Sequence, residues 1–187
     1  MILPIYLYGS DVLKAQAAPL NPEEVNREEL KTLIENMFET MRNADGVGLA
    51  APQIGLSQQI LIVDGSDLTD AYPNLKDFKR VMINPTILEA AEETAMYSEG
   101  CLSIPDIHCD IIRPSWMRVA YLDENLEPRE EKFEGFACRM VQHEMDHLAG
   151  IVFTDKAAPI RKKMISSKLH NISRGKVRTH YRAKYDK

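Results

Sequence analysis

The segment Gln142-His143-Glu144-Met145-Asp146-His147-Leu148 holds the residue types and the spacing best suited to chemistry. On a helix, at about 100° per residue, His143 and His147 sit about 40° apart, one turn above the other. Two imidazoles stacked in this way can grip one metal ion, while Glu144 projects beside it and can handle a proton. A His pair at this spacing also occurs by chance on helix surfaces. Two His and a Glu do not complete a catalytic site, which needs a third protein ligand and one open position.

The element that must position these residues is a helix over 136–149. Phe136, Met140, His143 and His147 recur at i, i+4, i+7 and i+11, no Pro falls between Gly135 and Gly150, and Gly150 stands where a C-terminal cap belongs. Downstream, the usual sources of a third ligand fail. The spacing that uses Gly150 would place the ligand at Phe153, and residues 160–175 contain no Glu. Upstream, the candidates are Cys101, His108, Cys109, Asp110 and Cys138. Cys138 precedes His143 by about 500° of helix rotation and points away, which suits a small buried hydrophobe. His108 and Cys109 adjoin on a strand-like stretch and face opposite sides. Cys101 follows a glycine, which allows a close backbone approach.

The surrounding chain reads as an ordinary globular protein with one core: 187 residues, 44% hydrophobic and 27% charged. No apolar run approaches the 18 or so residues of a membrane span, and the short apolar start, interrupted by Pro4, lacks a basic region before it. A cytoplasmic location is expected, with no membrane partner. Three cysteines without framework spacing fit a reducing compartment. The net charge of −5 hides an asymmetry: residues 156–187 carry about +10 and the remainder about −15. A basic tail on an acidic body suits either a polyanion such as RNA or the body itself.

Asn26 is a good N-cap for a helix over 27–43 with Leu30, Leu33, Ile34, Met37 and Met41 on one face. Strands are expected at 59–64, 80–90, 93–98, 117–122 and 129–136, the second and third forming a hairpin, with short interrupted strands around Pro105 and Pro114. Pro159 suits the first turn of a last helix to about 171. The small-residue run from Gly46 to Gly55 lets a backbone or ligand approach closely, and it lacks the order of a nucleotide fingerprint. The expected architecture is α+β, with mostly antiparallel sheets packed around the central metal-binding helix and a C-terminal helix. Residues 1–171 form one catalytic domain in this reading, followed by a flexible basic tail over 172–187.

Three separate segments resemble, in order, the motifs of the peptide deformylase family: Gly46-Val47-Gly48-Leu49-Ala50-Ala51-Pro52-Gln53, Glu99-Gly100-Cys101-Leu102-Ser103 and Gln142-His143-Glu144-Met145-Asp146-His147. Together they are highly specific, and the similarity extends over roughly residues 3–170. The resemblance implies a hydrolase that removes the formyl group from the N-terminal formylmethionine of nascent bacterial or organellar proteins and releases formate. It implies metal ligation by Cys101, His143 and His147, with Fe²⁺ as the usual ion and Ni²⁺, Co²⁺ or Zn²⁺ able to replace it. A water on that metal would attack the formyl carbon, with Glu144 as general base and acid and with Gln53 and the Leu102 N–H as oxyanion donors.

Gly46, Val47 and Gly48 would offer backbone to the substrate peptide, Glu99 and Gly100 would lie against it, and Phe136 and Met140 would line the methionine pocket with Val47, Leu102 and His143. The ribosome is the partner that the basic tail suggests. Two positions depart from the family pattern: Arg139, where an aliphatic residue is common, and His108, where an arginine is common. A peptidase of another lineage lacks its downstream ligand here. A closed structural zinc site would leave Glu144 without a task.

Overall fold

A computed structural model describes residues 1–186. The elements in order are β1 (Ile5–Tyr6), α1 (Asp11–Lys14), α2 (Arg27–Asn43), β2 (Gly48–Ala50), β3 (Ile60–Asp64), β4 (Lys79–Ala90), β5 (Thr94–Cys101) and β6 (Ile104–Pro114). Then come β7 (Trp116–Leu122), β8 (Pro128–Glu134), α3 (Gly135–Leu148), α4 (Pro159–Ser173) and β9 (Ala183–Lys184). Among the described residues no helix is long and apolar enough to cross a membrane.

The strand β3, Ile-Leu-Ile-Val-Asp, is buried along its length because both of its faces are covered. Ile60 and Ile62 face α2, where they join Leu30, Ile34, Met37 and Met41 in one core cluster. Leu61 and Val63 face the other way, onto Met140 and Val141 of α3. The five-stranded antiparallel sheet β2-β3-β4-β7-β8 is therefore a partition with a helix on each side. Asn26 starts α2 as the sequence suggests, its side chain accepting from the backbone N–H groups of Glu28 and Glu29.

On its far side α3 meets the β5–β6 hairpin, a separate two-stranded sheet with Ile107, Cys109 and Ile111 in a third cluster with Phe153 and α4. Enclosed by both sheets, α3 is buried nearly all round, with only its first residue exposed. This is the α+β arrangement around a central helix that the sequence suggests.

Three details differ from the sequence reading. Residues 80–90 and 93–98 do not form a hairpin: β4 pairs with β3 and β7, while β5 pairs with β6. Alternation identifies a strand but not its partner, and the two edges of β4 are taken by β3 and β7. Residues 104–114 form one long strand, because Pro105 lies near its start and β6 has only one ladder neighbour. The basic segment after α4, expected as a tail without regular structure, contains a strand. Its Ala183 and Lys184 pair in parallel with Ile5 and Tyr6, and Asp186 accepts from the Asp11 N–H.

Candidate active site

Three chain segments converge at one end of α3. The first is α3 itself, which presents His143, Glu144 and His147 toward β2 and the hairpin tip. The second is the tip of β5–β6. There a register irregularity between Glu99 and Cys101 breaks the ladder and re-aims Cys101 toward α3. Gly100 lets the His108 ring lie close against the backbone at that point, where a Cβ would push the ring aside. The third is the edge strand β2 and the 3-10 turn after it, which supplies Gln53.

Cys101, His143 and His147 each offer one ligand atom, and the three atoms lie within 4.8 Å of one another. Sγ of Cys101 stands 3.3 Å from Nε2 of His147. Nδ1 of His143 faces Oε1 of Glu99 at 2.9 Å, which leaves Nε2 of that ring for the cleft. Glu99 is itself tied to buried cations: Arg113 binds it through Nε (2.8 Å) and Nη2 (2.9 Å), and Arg139 through Nη1 (2.6 Å). Arg113 also reaches Asp146 on α3 at 2.6 Å.

Burial opposes ionisation of Glu99, yet the bonds from His143 and Arg113 outweigh it and hold the carboxyl far below its usual range. Burial likewise opposes a charged His143, but the Cys101 sulfur and Glu99 raise it well above the ordinary imidazole range. His147, buried and beside His143, is held well below that range. The site thus presents a negative field that a proton on one imidazole, or a metal cation, can answer.

Glu144 is buried, and its carboxyl is pushed up to about 7 by burial and by repulsion from Glu99, against attraction from His143. Its Oε2 has no hydrogen-bond partner. An unpartnered buried carboxylate oxygen beside one thiol and two imidazoles is a polar gap of the kind a metal and its water would fill. The donor set, one sulfur and two nitrogens, suits a transition metal with an open position.

Gln53 is fixed at both ends of its amide. Oε1 accepts from the Ala50 N–H at 2.9 Å, while Nε2 points at Ser103 Oγ (3.2 Å) and Cys101 Sγ (3.6 Å). The amide N–H₂ therefore faces the ligand cluster. Gly48 packs against Glu144 so closely that a Cβ would strike the carboxylate, and Gly46 packs in the same way against the Leu102 side chain.

Gly46, Val47, Leu102, Phe136 and Met140 line a cleft of about 380 Å³ that opens from this cluster. Phe136 is held by stacking on Tyr72 (centroids 4.4 Å) and by the edge of Tyr97 (5.5 Å). Every site residue expected from the sequence borders this cleft or the ligand cluster. Glu99 borders the cleft too, but its carboxylate turns back to His143, Arg113 and Arg139.

The two departures noted in the sequence find places here. Arg139 is buried, bonds Glu99 and the carbonyls of Ala95 and Ile111, and lies over the Tyr97 ring. The His108 ring packs on Gly100 at the rim. Cys109 is sealed in the third core cluster, and burial pushes the Cys138 thiol up to about 11, so both stay outside the site.

Arg113 escapes the sequence reading, although the alternation Ile107, Cys109, Ile111 puts it on the buried face, where a charge needs a partner. Arg178–Tyr181, also unforeseen, come from the basic tail and border the cleft.

A family model described as polypeptide deformylase matches residues 2–163. A peptide deformylase of Prosthecochloris aestuarii is 47% identical over 181 residues, covering 97% of this chain and 94% of the relative. One from Christiangramia forsetii is 43% identical over 192 residues, covering 99% and 96%. The crystal structure of peptide deformylase from Thermus thermophilus superposes with a TM-score of 0.81 at 35% identity, over 93% of this chain and 99% of that one.

Proposed function

Because the chain belongs to the peptide deformylase family, we propose a residue-level reading of how it removes the N-formyl group from nascent peptides. Cys101, His143 and His147 hold a divalent metal, Fe²⁺ in this reading, with Ni²⁺, Co²⁺ or Zn²⁺ as functional replacements. When bound, the metal supplies Lewis acidity and brings the pKa of water toward neutrality. The other tasks fall to the protein.

Glu144 takes the proton released as water adds to the formyl carbon, then gives it to the methionine nitrogen as the C–N bond breaks and formate leaves. A carboxyl poised near neutrality suits both transfers. Negative charge gathers on the formyl oxygen, where the Gln53 amide and the Leu102 N–H donate to it. Glu99 fixes the tautomer of His143 and is held in turn by Arg113 and Arg139.

The peptide lies along the free edge of Gly46–Gly48, whose other edge is taken by β3. The methionine side chain enters the pocket of Phe136 and Met140 beside Val47. The ribosome is a further proposed partner, on the charge of α4, where Lys162, Lys163 and Lys168 are exposed. The cytoplasm is the compartment this reading implies.

The observation that carries the reading is the unpartnered Glu144 carboxylate set beside the three converging ligand atoms. The test is formate release from formyl-Met-Ala-Ser by enzyme purified without oxygen and analysed for metal. Formate release with about one metal per chain is expected. A metal-loaded chain that releases no formate would refute the reading.

A further inference from the structure

The basic segment after α4 takes a defined path. Gly175, at φ 68°, ends the helix and turns the chain, and its N–H bonds the Ile172 carbonyl at 2.9 Å. A Cβ at Gly175 would run into the Tyr185 ring, so the turn is packed by the segment's own far end. From Val177 the chain crosses the cleft, and it then joins β1 through β9. In the crossing, Thr179 Oγ1 donates to the Tyr181 carbonyl at 2.7 Å.

Two contacts tie the crossing to two different segments that line the cleft. Tyr181 donates its hydroxyl to the Leu102 carbonyl at 2.6 Å, on the hairpin tip that carries Cys101. His180 reaches Asp45, in the α2–β2 loop, with Nε2 3.2 Å from Oδ2, a contact between two exposed side chains at the rim. Burial, with the neighbouring Cys101 and Asp106, pushes the Tyr181 hydroxyl far above its usual range, so it remains a donor.

We propose that Arg178–Tyr181 is a strap forming one wall of the peptide cleft, tied to Leu102 by Tyr181 and to Asp45 by His180, where it meets the residues that follow methionine. The direction of the cleft supports this placement. Gly48 abuts Glu144, whereas Gly46 abuts Leu102 and Asp45 lies one residue farther out. A peptide with its formyl group at Glu144, lying along this edge, therefore runs outward toward Asp45 and His180. The strap then selects for an extended chain of at least three residues. Tyr181 is a positioning residue in this scheme, because it acts on the formyl oxygen only through Leu102.

The inference rests on the deformylase reading of the site, and two substrates separate the two. Formyl-Met amide ends before the strap, and formyl-Met-Ala-Ser reaches it. His180→Ala in the full chain is expected to raise KM for the tripeptide roughly three- to tenfold more than for the amide, as loss of a contact worth a fraction of a decade to one decade in affinity would. Tyr181→Phe, which keeps the ring, is expected to lower kcat on both substrates with KM little moved. Equal KM effects of His180→Ala on both substrates, or none on either, would overturn the strap.

A second readout needs no turnover. Trypsin cleavage after Arg178, followed by mass spectrometry, is expected to slow under saturating Met-Ala-Ser and not under methionine amide. Cleavage indifferent to the tripeptide would overturn the strap even if the chain deformylated nothing.

Discussion

Oε1 of Glu99 lies 2.9 Å from Nδ1 of His143, and this contact determines which nitrogen of the ring is available to a metal. In the proposed site Glu99 would thus support the ligand set, and it is itself held by two arginines. Glu99→Ala should weaken metal binding about 10- to 100-fold, in the range typical of lost outer-shell partners. Competition with a calibrated chelator measures this directly. Wild-type affinity in the variant would show that the carboxylate does not orient the ligand.

Glu144 presents a different prospect, since it touches no ligand atom in the reading given above. Glu144→Ala should retain metal and lose about 10²- to 10⁴-fold in kcat, the usual contribution of a positioned acid–base group. Metal analysis alongside steady-state rates checks both halves. Deformylation at the wild-type rate would disprove the proton-transfer role.

Gly48 offers a test of geometry with no change in charge. A methyl group there would collide with the Glu144 carboxylate. Gly48→Ala should fold and bind metal, yet lose about 10²-fold in kcat, since a displacement near 1 Å in catalytic groups has that effect. An undiminished kcat would mean that Glu144 has more room than the packing indicates.

Away from the site, Glu131 links three strands. Arg80 on β4 binds it twice, at 2.7 and 2.9 Å, and Tyr121 on β7 donates to it at 2.8 Å. Burial opposes its ionisation, but Arg80 and Tyr121 outweigh burial and lower the carboxyl below its ordinary 4.5. A depressed carboxyl stabilises the fold fully above the unfolded value and loses that contribution as pH falls through the folded one. Urea melts should therefore show wild type more stable than Glu131→Gln at pH values near 6. The difference should shrink as pH drops below about 4.5. A gap that stays constant down to the acid limit would exclude this carboxylate as its source.

Much of the site was legible because its chemistry is local. His143, Glu144 and His147 need only a helix to come together, and the spacing of Phe136, Met140, His143 and His147 announces α3 from neighbouring residues, as Asn26 and the apolar stripe announce α2. The partner of a strand is a different kind of information. Nothing in residues 80–98 reveals that β4 turns to β7 while β5 crosses to another sheet, since that depends on bulges and on residues far along the chain. Arg113 was within reach of strand alternation, but an arginine looks like a surface residue until its carboxylates are located. The tail is the plainest case. Its charge suggests a solvated tail, and its contacts with remote segments, through Tyr181, His180, Asp186 and β9 among others, leave no local trace in the sequence.

The parallel pairing of β1 with β9 also sets an order of events during synthesis. A chain leaves the ribosome N-terminus first, so Ile5 and Tyr6 wait unpaired until Ala183 and Lys184 have followed. The hairpin tip is gripped from both ends of the chain, its Ser103 carbonyl by the Tyr8 N–H and its Leu102 carbonyl by Tyr181. Closing a loop of nearly the full chain length is slow compared with local folding. A new copy thus gains a finished cleft only after its ninth strand has cleared the tunnel, however early its central helix and sheet have formed.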